Sequence, residues 1–132
     1  MVVVVPAEAV RLEEGHAVAD PGVWYGQIGA LRYHATIGRD VIESGPAWTP
    51  SEALPLTLDL AAALAHNALA GLVREPRKWA LSEITLQRLR NSVPERWFFV
   101  VGFTRETGKQ QGVMQFPVAF TGQVGTVERA TK

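Results

Sequence analysis

Residues 96–105 limit what this chain can become more than any other stretch. They read Arg-Trp-Phe-Phe-Val-Val-Gly-Phe-Thr-Arg. Successive side chains of an extended strand point to opposite faces, so Trp97, Phe99, Val101 and Phe103 share one side and Phe98 and Val100 the other. Both sides are apolar. Such a strand belongs at the centre of a sheet, covered above and below.

Its neighbours in sequence are strands as well. Trp79 and Leu81 share one parity and Ile84 and Leu86 the other, so a strand over 78–90 holds both sets only with a bulge near Ser82-Glu83. Asn91 to Pro94 forms a turn. Glu106 to Gly112, with Thr107-Gly108, closes a hairpin onto a strand over 112–121. There Met114, Phe116, Val118 and Phe120 alternate with Gln115, Ala119 and Thr121. Pro117 has no N–H to donate, which puts this strand at an edge or pairs it on one side only at that point. After Gly122 and Gly125, residues 126–132 read as a frayed tail.

Upstream lies one amphipathic helix, over about 57–74. Thr57 is its cap, Asp59 sits in its first turn and Pro76 stops it. At 100° per residue, Leu58, Ala61, Ala62, Leu64, Ala65, Ala68, Leu69, Leu72 and Val73 share one half of the cylinder. Asp59, His66, Asn67 and Arg74 fall on the solvent half. The apolar face is mostly alanine, so the axis can approach the sheet closely. Thr49-Pro50-Ser51-Glu52 also has the form of a capping box, but Pro55 prevents a helix from continuing there.

The N-terminal part is less regular. Val2 to Val5 form a short β-branched strand ended by Pro6, and segment 1–30 is otherwise irregular. Residues 7–15 fit helix or strand. Asp20-Pro21-Gly22 is a turn, and Gly26 and Gly29 weaken any element carrying Trp24-Tyr25. Leu31, Tyr33, Ala35 and Ile37 alternate with Arg32, His34 and Thr36, the period of a half-buried strand. Val41-Ile42 reads as the start of a return strand. The expectation is one α+β domain over 1–132: a single amphipathic helix on an antiparallel sheet with a C-terminal meander (about 78–90, 95–105 and 112–121).

Composition narrows the function classes. Thirteen basic and thirteen acidic residues cancel, and Arg74, Arg77 and Lys78 are interrupted by Glu75 and Pro76, so the chain lacks the basic face of a nucleic-acid binder. With no cysteine there is neither disulfide nor thiolate chemistry. No apolar run has the length of a membrane span or the form of an export signal, which fits a soluble, cytoplasmic chain.

Chemical motifs are scarce. His16, His34 and His66 are far apart and pair with nothing at ligand spacing, so no metal is expected. Asp59 and His66 lie two helical turns apart, about 10 Å at the helical rise. Ser44, Ser51, Ser82 and Ser92 occupy loop, cap or bulge positions, and no Gly-x-Ser-x-Gly occurs. Glu13-Glu14 point apart in either regular structure. Gly22, Gly26 and Gly29 are not followed by a phosphate-binding lysine. No cofactor and no catalytic residue is assigned.

The pattern Trp79-x-Leu81…Ile84-x-Leu86 followed by Arg96-Trp97-x-Phe99-x-Val101-x-Phe103, after one helix, resembles cystatin-like and NTF2-like architectures over about 57–121. It is a likeness of hydrophobic pattern and carries no functional residue across. Such folds host enzymes, inhibitors and dimerisation modules.

One helix covers one face of a sheet, and the other face, carrying Phe98 and Val100, needs a cover of its own. Segment 1–30, a second copy of the chain or an apolar ligand would serve. The first expectation is a non-catalytic interaction module, homodimeric through Phe98 and Val100 or docked on another protein. The second, of a different class, is a small-molecule binder or simple acid/base enzyme with a cavity between helix and sheet. Trp24, Tyr25, Arg32 and His34 are its candidate ligand residues, with Tyr33 beside them. A third is an accessory part of a larger assembly, donating Val2–Val5 as a strand to a neighbour.

Overall fold

The computed structural model describes residues 10–18, 22–106 and 111–130. Strand 2–5 lies outside them, as does the tip of the hairpin at Thr107-Gly108. Among the described residues, seven strands form one sheet in the order β1-β4-β5-β6-β2-β3-β7. They are β1 (Val10–Val18), β2 (Val23–Ile28), β3 (Leu31–Thr36), β4 (Ala80–Leu89), β5 (Trp97–Arg105), β6 (Gly112–Ala119) and β7 (Thr126–Arg129). The six strands from β4 to β7 run antiparallel to their neighbours. β1 joins the edge parallel to β4, so the described part of segment 7–15, open between helix and strand by sequence, is strand from Val10 on. The α+β architecture, with one main helix on an antiparallel sheet and a C-terminal meander, is as expected.

The two-sided strand sits where its sequence demands. β5 pairs with β4 on one side and β6 on the other, and every residue from Trp97 to Phe103 is buried. The register of β4 shifts between Leu81 and Glu83, the bulge that lets both parity sets of that strand face inward. Pro117 lies opposite Val100, and its carbonyl accepts from the Gly125 N–H at 2.8 Å. The N–H and C=O of a strand residue point the same way, so the missing N–H of Pro117 falls on the side away from β5.

The main helix is α2 (Leu58–Ala70). Thr57 Oγ1 accepts from the Leu60 N–H at 3.2 Å, filling one of the orphan donors of the first turn. The helix ends at Gly71, short of the expected Arg74, because glycine propagates a helix poorly and Pro76 follows. Ala61, Ala62, Ala65 and Leu69 are fully buried in one cluster with Phe99, Val101, Phe103 and Phe116. The Thr49–Glu52 bonds of a capping box do form, with Glu52 Oε1 accepting from the Thr49 N–H at 3.0 Å, but no helix follows.

His66 corrects the helical-wheel reading. It is buried, its ring meets Phe103 at 5.7 Å and its Nε2 lies 3.2 Å from the Pro76 carbonyl oxygen. The chain turns back after Gly71, and the 3-10 turn Pro76–Lys78 covers what would be the open side of the helix. Three further readings change. Val41-Ile42 belongs to a short helix α1 (Arg39–Glu43), not to a strand. Residues 23–28 are regular β2 despite their glycines, and the frayed tail is β7, paired with β3 from Thr126↔Thr36 to Arg129↔Tyr33.

The second face of β5 is covered by the chain itself. β2 is bonded to β6 only through Gln27↔Val113 and Ile28↔Gly112, then diverges. The same side of β2 therefore delivers Ile28 to the helix-side cluster and Trp24 to the opposite one. There Trp24, Ala35, Ile37 and Ile42 enclose Phe98, Val100, Leu89 and Ala119.

Candidate functional site

β2 and β3 form a tight hairpin around Gly29-Ala30, with glycine at φ 58°, a backbone angle that residues with a Cβ rarely adopt. The register pairs Tyr25 with His34, Gln27 with Arg32 and Trp24 with Ala35. Tyr25, Gln27, Arg32 and His34 thus share one face of the hairpin, and Trp24 projects from the other. Of the four residues expected at a ligand site, the fold brings three together and withdraws Trp24 into the core. The contrast between neighbours is large: Trp24 is 9% exposed and Tyr25 is 70% exposed.

Phe98 and Val100 are also placed differently from the interface expected of them. Both are buried inside one chain, and the Trp24 ring meets Phe98 edge-on. They offer no surface to a second copy unless Trp24 and Ile42 first move away.

Around the hairpin lies an open concavity of about 720 Å³. Tyr25, Leu31, Arg32, Tyr33, Val113 and Arg129 are among its lining residues. Leu31 and Val113 are 37% and 42% exposed, which adds two aliphatic side chains to the exposed phenol ring. Gly26 sets the depth of this surface. A Cβ there would strike Met114 Sδ and stand 3.0 Å from the Val113 carbonyl oxygen, so glycine lets β2 lie close against β6.

The charges around the concavity are uneven. Tyr33 and Arg129 are register partners on one face of β3–β7, and Arg32 leaves β3 from the other. Both arginines line the hollow, which therefore wraps the end of this strand pair. Neither guanidinium forms an ion pair among the described residues, whereas Arg39, Arg88 and Arg105 face Glu43, Glu95 and Glu75 at 3.4, 3.9 and 3.2 Å. None of the described lining residues is acidic. His34 stands just outside, its Nε2 3.9 Å from Glu128 Oε1.

Sequence reasoning passed over Leu31, Val113 and Arg129 as site residues. Arg129 was hidden by reading 126–132 as a tail, although Thr126-Val127-Glu128-Arg129 carries a β-branched pair that could have marked a strand. The described residues contain no group of three or more His, Asp or Glu placed to hold a metal ion, and no helix long and apolar enough to cross a membrane. No protein-family model, no curated protein and no solved structure matches this chain.

Proposed function

We propose that the chain is a non-catalytic recognition module that binds in the concavity at the β2–β3–β7 end of the sheet. The observation that carries the reading is the opposed placement of Trp24 and Tyr25. Neighbours on a strand point to opposite faces, and here one of the two aromatics packs the core while the other stays open to contact. Tyr25 shares its face with Arg32 and Val113, while Leu31, Tyr33 and Arg129 line the hollow from the other face, and neither arginine has a carboxylate partner among the described residues. These are groups that hold a ligand, and the imidazole and carboxylate nearest to them, His34 and Glu128, face each other outside the lining, which favours binding over proton transfer. Self-association through Phe98 and Val100 is the weaker reading, because it needs Trp24 and Ile42 to be displaced first.

The test is a fragment screen on the ¹⁵N-labelled chain by two-dimensional NMR, with neutral, anionic and cationic fragments. Binding fragments are expected to move the amides of residues 25–27, 31–33, 113 and 129. Hits that cluster elsewhere, or none on these amides, would refute the reading.

A further inference from the structure

We propose that the occupant of this concavity is a small organic anion, an oxyanion head on a flat apolar body. The inference rests on the recognition role just proposed and adds the chemistry of the ligand. Charge is the first argument. Arg32 and Arg129 bring two permanent positive charges to one hollow, and no described lining residue offsets them. A guanidinium fork matches the two oxygens of a carboxylate or phosphate, and such charge-assisted bonds are roughly twice as strong as neutral ones. Glu128 lies on the face of Arg32, opposite to Arg129, but is turned to His34 and does not line the hollow.

Size is the second argument. A hollow of about 720 Å³ lies inside the range of roughly 300–1,000 Å³ that small ligands occupy. A stable protein partner would use about 20–30 residues on this side. Tyr25 and Val113 on one face of the strand pair and Leu31 and Tyr33 on the other are a few side chains, enough to flank a ring system and too few for that. Besides the Tyr25 and Tyr33 hydroxyls, Gln27 can both donate and accept, and its side-chain amide already donates to the Gly29 carbonyl at 2.9 Å. Its oxygen is left as the acceptor for a hydroxyl on the ligand body.

The experiment is an NMR titration of the full chain with 2-naphthoate, 2-naphthyl phosphate and the uncharged 2-naphthol, repeated on the Arg32→Gln/Arg129→Gln double variant. One or both anions are expected to move the amides of residues 25–27, 31–33, 113 and 129 and to bind on the order of tenfold tighter than naphthol. The tighter of the two identifies the head as carboxylate or phosphate. The double variant, with its other amides unmoved, should lose that preference. Equal binding of naphthol at these amides would overturn the anion and leave the recognition surface standing. A preference that survives in the double variant, or anion binding mapped elsewhere, would also overturn the anion. If none of the three moves these amides, the ligand chemistry and the recognition site both fall.

Discussion

The indole of Trp24 meets the ring of Phe98 edge to face, with centroids 5.5 Å apart and planes at 77°. This contact joins the N-terminal hairpin to the face of the central strand that the helix does not reach. It turns a sheet needing two covers into a closed unit, and it sends the neighbouring Tyr25 outward. The candidate site exists because of that seal.

Phe98→Asp should unfold the chain instead of splitting an assembly. A carboxylate at a position with no exposure has neither water nor a cation, and burying an unpaired charge costs several kcal/mol. Circular dichroism with light scattering checks this. A folded variant of reduced mass would mean that Phe98 joins two copies.

Gly112→Ala should loosen the hairpin. A methyl at Gly112 would run into the backbone carbonyl of Gln27, which cannot swing aside as a side chain can. β2 meets β6 through Gln27 and Ile28, followed by one Gly29 N–H bond to the Gln111 carbonyl, so relief of the clash must disturb that short joint. A loss of about 1–3 kcal/mol is expected by urea denaturation, with faster amide exchange at Gln27 and Ile28. Wild-type stability would contradict this.

Thr57→Ala removes the oxygen that accepts from the Leu60 N–H. The expected loss is about 1 kcal/mol, with Thr57→Ser close to wild type. Chemical denaturation of the two variants side by side checks it.

Acid should weaken the link between the 3-10 turn and β5. Glu75 bonds Lys78 Nζ at 3.1 Å and Arg105 at 3.2 Å, and these partners hold its carboxyl below its ordinary pKa of 4.5. A carboxyl whose pKa is lowered by folding adds stability above its unfolded value, and that stability is lost as the pH falls through the folded value. Glu75→Gln should therefore lose less stability than wild type between neutral pH and the region below 4.5. Parallel pH dependence of the two melting curves would show that the pair contributes nothing.

The meander was legible because its strands obey a strict period of two. Trp97 to Phe103 fixed β5 as central, and the parity break between Leu81 and Ile84 located the bulge. The capped alanine face of α2 was equally plain. What could not be read was how the hairpin leaves the sheet. That depends on β2 parting from β6 after two residue pairs, a geometry set by contacts between residues far apart in the chain, such as Gln27 and Val113. His66 shows the same limit, since its burial comes from Pro76–Lys78 folding back over the helix and not from its own place on the wheel. The site residues fared unevenly for this reason. The period of β3 gave Arg32 and His34 a common face, but Arg129 joins Arg32 only through the β3–β7 pairing.

Urea unfolding of Trp24→Ala and Tyr25→Ala, measured together, bears most directly on the opposed placement of these two neighbours. Trp24→Ala should cost about 3–5 kcal/mol, since it empties the cover over Phe98 and Val100. Tyr25→Ala should stay within about 0.5 kcal/mol of wild type, as an exposed side chain outside the core. A near-neutral Trp24→Ala, or a Tyr25→Ala as costly as the tryptophan change, would mean that the hairpin does not seal this face and that Tyr25 is not free to recognise anything.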